Sequence, residues 1–126
     1  MNVFVIYTVC WDTGHANGEG SQYHDLVDLG KHLYAVHIDD NNGKGDQHVI
    51  PFFGTVNMDE IMYALIDADY RGYFTFEATS ALLHGRRRFE KDTRLFDPSL
   101  QLPKELARFL YKTGAHVLNA YNCFEA

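Results

Sequence analysis

Six residues have the types and spacing of a cation or acid/base site. Asp12 and His15 stand three apart in Asp12-Thr-Gly-His15, and Asp46 and His48 stand two apart in Asp46-Gln-His48. His37 lies in the apolar run LYAVHI, and Glu77 directly follows YFTF. Carboxylates and neutral imidazoles are donors that divalent cations accept. A positioned carboxylate or imidazole can also move protons. Each pair alone is a weak signal, because both spacings arise often by chance. An excess of histidine, seven in 126 residues, points the same way.

These residues need elements to position them. Val3–Trp11 is β-branched, aromatic and almost continuously apolar, which predicts a strand buried on both faces. Asp12–Gly20 reads as a glycine-rich loop. A short helix follows over about Ser21–Lys31, with Leu26 and Val27 inward and Gly30 near its stop. Leu33–Ile38 is the second strand, and Asp39–Val56 is a long polar loop of the kind that is usually functional or disordered. Asn57 caps a second helix with Glu60 three residues on, and Ile61, Met62, Leu65 and Ile66 form its inner stripe. The third strand is Tyr73–Phe76, and an irregular stretch from Ala78 to Leu102 follows. A last helix begins near Pro103, with Leu106, Phe109, Leu110, Val117, Leu118 and Tyr121 on one side.

Strands alternating with helices predict βαβ units and a parallel sheet. In such a sheet all C-terminal strand ends share one side. Asp12, His37 and Glu77 then converge at one end, where α/β barrels do their chemistry. Two carboxylates and an imidazole there form a candidate divalent-cation site. An acid at a strand end can also simply cap the next helix. Three strands cannot close a barrel, so the chain reads as one α/β domain, residues 1–126, belonging to a larger βα array. Its open first-strand edge is expected to expose apolar surface and to promote self-association.

Composition narrows the function classes. With 46% hydrophobic and 22% charged residues the chain is globular rather than disordered. A net charge of −6 disfavours a nucleic-acid partner. The apolar run Val3–Trp11 is less than half the length of about twenty residues that a membrane helix needs, and no basic segment precedes it as in a signal peptide. Two cysteines, Cys10 and Cys123, form no disulfide framework and suit a cytoplasmic location. Cys10, inside a strand beside Trp11, is expected to be a buried, inert thiol. His24, His32, His84 and His116 have no partner pattern and read as surface or packing residues. Gly18-Glu-Gly20 is not a dinucleotide fingerprint. Arg86–Arg88 either grips a phosphate or is a solvated basic run.

CWDTGHAN (10–17), HIDDNNGKGDQH (37–48), PFFGTVN (51–57) and YRGYFTFEA (70–78) together resemble the motifs of the xylose-isomerase-like barrels. That group includes sugar-phosphate isomerases and epimerases and the class II apurinic endonucleases. The ending LYKTGAHVLNAYNCFEA resembles the final helix of a bacterial isomerase/epimerase branch. The resemblance implies the last three βα units of a TIM (β/α)8 barrel. It implies Asp12, His37 and Glu77 as three of the four ligands of a catalytic cation (Mn, Mg, Co or Zn), with Glu77 also an acid/base carboxylate. His15 matches a histidine that contacts substrate in the sugar enzymes and is a catalytic candidate; Asp46 and His48 match a pair that binds an additional zinc in the nucleases and are substrate-binding candidates here. Phe52, Phe53 and Phe74 either meet an apolar sugar face or pack in the core. The implied activity is a metal-dependent sugar or sugar-phosphate isomerase/epimerase, working by proton transfer through an enediolate on a small-molecule sugar. The alternatives are a class II apurinic endonuclease-like zinc phosphodiesterase and an inactive truncated half-barrel. The fourth ligand, a glutamate on the preceding strand, is not among these residues. The 126-residue chain alone is therefore expected to be inactive.

Overall fold

The computed structural model describes residues 7–78 and 104–123. Strand β1 (Val9–Asp12) leads into a single helical turn, α1 (Thr13–Ala16), then α2 (Tyr23–Leu29) and a 3-10 turn at Gly30–His32. Strand β2 (Leu33–Ile38), α3 (Met58–Asp67), β3 (Phe74–Phe76) and α4 (Lys104–Ala120) complete the described elements. The sheet order is β1-β2-β3, and both pairings are parallel. The expected parallel α/β arrangement is therefore present.

Alternation along the strands sorts the side chains into two layers. Val36 and Ile38 are fully buried against Leu26, Ile61, Met62, Leu65 and Val117, and Phe74 and Phe76 pack on the same cluster. Residues of the opposite parity, Cys10, Ala35, His37 and Thr75, are exposed or half-buried. No helix among the described elements covers that second face. The buried-thiol expectation for Cys10 is thus corrected: Cys10 is exposed, because it lies on the face away from the helices. Its thiol is nonetheless pushed up in pKa by local desolvation and by the carboxylates of Asp12 and Glu77, which keeps it protonated.

Element boundaries moved for local reasons. Residues 3–6 of the expected first strand, with His84 and Arg86–Arg88, lie outside the described residues; Tyr7 and Thr8 precede the strand. Helix α2 tightens at Gly30, whose φ is +46°. Ile66, expected inward, is 44% exposed, because the buried face of α3 is centred on Met58, Ile61, Ala64 and Leu65 and Ile66 falls off its edge. Phe109 likewise sits on the flank of α4 at 47% exposure. No helix among the described residues is long and apolar enough to cross a membrane.

Asn57 caps α3 by accepting the Glu60 amide at 3.3 Å. Glu60 does not reach back to complete a capping box. Its carboxylate instead accepts Ser21 Oγ and the Tyr23 amide, the latter at 2.9 Å. It thereby caps α2 from the neighbouring helix, where Gln22 provides no side-chain cap. Gln22 is occupied elsewhere: it accepts from Trp11 Nε1 at 2.8 Å and donates to the Thr13 carbonyl at 3.0 Å. The Ser21 hydrogen bond holds the Glu60 carboxyl below its ordinary pKa. Stabilisation of that kind is present above the unfolded pKa and lost as pH falls. Glu60→Ala should lower the unfolding free energy by about 1–2 kcal/mol at pH 7 and by less at pH 3, read from urea melts.

Candidate metal centre

The register of the sheet builds the site. Asp12 pairs with His37, and the Glu77 amide continues β3 by donating to the Ile38 carbonyl at 3.1 Å. Asp12, His37 and Glu77 therefore stand side by side at the C-terminal strand ends, on the face away from the helices. Glu77 Oε2 lies 2.7 Å from His37 Nδ1, and Asp12 Oδ2 lies 3.9 Å from that same nitrogen. One donor atom from each of the three falls within 4.8 Å of the others. The set of two carboxylates and one imidazole fits a divalent cation of the oxygen- and nitrogen-binding class. Asp12 serves both readings of a strand-end acid. Its Oδ1 caps α1 by accepting the His15 amide at 2.8 Å, while Oδ2 faces the site.

A second group, His15, Asp46 and His48, likewise brings one donor atom from each residue within 4.8 Å of the others. His48 Nε2 lies 2.6 Å and His15 Nε2 3.5 Å from Asp46 Oδ1, and the two rings meet edge to face. The groups adjoin: His15 Nδ1 is 3.2 Å from Asp12 Oδ2. His15 is 60% exposed in its side chain, and the Asp12 charge pulls its pKa up.

The long loop after β2 delivers Asp46 and His48 through one buried carboxylate. Asp40 accepts the amides of Asn41 and Val56 on Oδ1 at 2.8 and 2.9 Å, and those of Phe52 and Gly54 on Oδ2 at 3.1 and 2.9 Å. Its own backbone pairs with Val49 in both directions, at 3.0 and 2.9 Å. Gly54 is required at the closure, because a Cβ there would lie 2.2 Å from Asp40 Oδ1 and from the Asn41 carbonyl. Phe52 and Phe53 are exposed, whereas Phe74 packs on the core. His24 stacks edge to face on Tyr23, His32 Nδ1 lies 3.2 Å from the Tyr7 carbonyl, and both stand apart from the two groups.

Sequence reasoning missed Asp39. It is 0% exposed, its Oδ1 accepts the Gly14 amide at 2.9 Å, and its Oδ2 lies 3.3 Å from His48 Nδ1. The signal was available: in a strand continued past Ile38, residue 39 shares the parity of His37. Burial first, then the Asp12 charge, push the Asp39 pKa up to about 6.

The chain belongs to the xylose isomerase-like TIM barrel family, whose profile matches residues 7–113. It is 35% identical over 63 residues to fructoselysine 3-epimerase of Escherichia coli O157:H7, covering 50% of this chain and 23% of that protein. It is 39% identical over 70 residues to the uncharacterized protein y4fM of Sinorhizobium fredii, covering 55% of this chain and 22% of the relative. A solved structure described as a D-tagatose 3-epimerase-like protein aligns with TM-score 0.48 and 30% identity, over 55% of this chain and 26% of that one. The chain thus spans about a quarter of the length of these relatives.

Because the Asp39 pKa is raised, the folded state holds that proton more tightly than the unfolded chain. The associated stability is complete below the ordinary carboxylate pKa of 3.8 and lost as pH rises through about 6. In chelator, the unfolding free energy of the chain relative to its Asp39→Asn variant should fall by on the order of 2 kcal/mol between pH 4 and pH 7. A flat difference would show that Asp39 ionises normally.

Proposed function

We propose that these residues form the metal-binding part of a sugar or sugar-phosphate isomerase/epimerase site. The observation that carries the reading is the convergence of Asp12, His37 and Glu77 at adjacent strand ends in a chain of this family. A fructoselysine 3-epimerase among the relatives supports the reaction class. Asp12, His37 and Glu77 would hold a divalent cation, which would supply positive charge to stabilise negative charge developing on the substrate's oxygens.

The chain's own groups do the rest. Glu77 presents its carboxylate beside the site and takes the proton from the carbon next to the carbonyl. His37 Nδ1 lies 2.7 Å from that carboxylate, close enough for the two to ligate one cation together. His15, the most exposed of the group, meets a substrate hydroxyl, and Asp46 and His48 flank it. Return of the proton on the opposite face needs a second carboxylate on a neighbouring strand, together with the fourth ligand. In the complete barrel the open edge of the first strand is paired with a neighbouring strand; by itself the chain self-associates through that open edge. The free cysteines suit a reducing cytoplasm.

A second reading, a zinc phosphodiesterase of the apurinic endonuclease type, has one observation in its favour: the His15, Asp46 and His48 group offers a further cation site next to the first. The net charge of −6 stands against it. Metal analysis of the complete barrel separates the two. One tightly held ion per chain supports the epimerase, and about three zinc ions support the nuclease.

With added manganese, the 126-residue chain should show no measurable ketose epimerase activity. In the complete barrel, Glu77→Gln should lower kcat by at least about 100-fold with the melting temperature unchanged. Full activity of that variant would remove Glu77 from the mechanism.

A further inference from the structure

Among the described residues, one buried side-chain oxygen has no hydrogen-bond partner, and it is Asp39 Oδ2. The rest of Asp39 is held on every side. Its amide donates to Thr13 Oγ1 at 3.0 Å, and that hydroxyl donates to the Asp39 carbonyl at 2.7 Å. Oδ1 accepts the Gly14 amide at 2.9 Å. The fit is so close that a Cβ on Gly14 would fall 2.3 Å from Oδ2 and 2.6 Å from Oδ1. A fully buried carboxylate with one oxygen left over is costly unless that oxygen has a use. His48 Nδ1 lies 3.3 Å from it, within ion-pair reach but not aligned as a hydrogen bond, and the Asp12 carboxyl is also close to the Asp39 side chain.

His48 Nδ1 has a second neighbour, the Glu77 carbonyl, at 3.2 Å. A carbonyl only accepts, and so does an ionised carboxylate. A nitrogen bonded to a carbonyl must carry the hydrogen, and the Asp39 carboxylate 3.3 Å away favours the same form by its charge. The other ring nitrogen, Nε2, faces Asp46 Oδ1 at 2.6 Å, so a cation taken up beside Asp46 would displace a hydrogen from Nε2 and leave the one on Nδ1 in place. Histidines that bind cations or substrate groups are commonly oriented in this way, by a carboxylate on the far nitrogen.

We propose that Asp39 is the positioning residue shared by both groups: it grips the Gly14 amide in the turn that carries Asp12 and His15, and it orients the His48 ring so that Nε2 faces Asp46. The part of this that concerns ligand binding rests on the reading that His15, Asp46 and His48 face a cation or substrate. The orientation of the ring stands on geometry alone.

The test uses the 126-residue chain labelled with 15N-histidine, at pH 8, without and with zinc. In the unsubstituted chain His48 Nδ1 should carry a hydrogen-bonded proton in both states; a pyridine-like Nδ1 overturns the proposal with no variant needed. Asp39→Asn keeps the shape and an acceptor for Gly14 but turns an amide donor toward Nδ1. It should shift Nδ1 to the pyridine-like form. It should also weaken zinc at the His15, Asp46 and His48 group by about 10–100-fold, while binding at Asp12, His37 and Glu77 changes little. Gly14→Ala, which displaces the carboxylate without changing its chemistry, should reproduce the Nδ1 shift. An Asp39→Asn chain with an unaltered Nδ1 signal would show that the Glu77 carbonyl suffices, and the proposal fails. If zinc binds nowhere in the unsubstituted chain, the cation reading fails, and the Nδ1 signals still decide the role of Asp39.

Discussion

The buried carboxylate of Asp40 governs the geometry of the site more than any residue in the site itself. Four backbone amides converge on its two oxygens, drawn from both ends of an eighteen-residue loop, 39–56. Hydrogen bonds to an ionised acceptor are stronger than neutral ones, and four of them compensate the loss of water around a buried charge. Closing a loop of this length costs entropy that its polar surface cannot offset by burial. The Asp40 knot offsets it locally and sets the Val49 bridge, which in turn places His48 beside Asp39 and Glu77. It also holds Phe52 at φ +77°, a conformation that bulky residues rarely adopt.

A second constraint is charge. Asp12, Asp39, Asp46 and Glu77 crowd around His15, His37 and His48. Carboxylates at such spacing repel unless something positive or a proton stands between them. The chain uses three devices. Imidazoles sit between the acids, backbone amides from α1 take one oxygen each of Asp12 and Asp39, and burial raises the Asp39 pKa so that it retains a proton more readily. What remains at the open face is a set of donors matched to positive charge, which is why the cation reading and the electrostatics agree.

The same alternation that makes the site also explains the bare face. Parity puts the apolar residues of β2 and β3 under the helices and leaves Cys10, His37, Thr75 and Glu77 on the other side. In a barrel that side is the interior, lined by residues of neighbouring strands. The exposure of Cys10 is a consequence of strand geometry, and burial could not be read from its apolar neighbours in sequence.

Much of this was legible in the sequence. The alternation of apolar runs with helix-spaced stripes specifies parallel βα units, because strand and helix periodicities are local properties. Strand ends are local too, so the juxtaposition of Asp12, His37 and Glu77 followed once the strands were parallel. The long-range partners of polar side chains were decided only by the tertiary structure. Glu60, spaced as the acid of its own helix's capping box, caps α2 instead, since Ser21 and Tyr23 are brought to it by packing. Asp39 and Asp40 are adjacent and identical in type, yet Asp40 orders a loop through four amides, while Asp39 accepts one amide and leaves its other oxygen 3.3 Å from His48 Nδ1. Successive residues of an extended chain face opposite sides, and what waits on each side is set by segments distant in sequence.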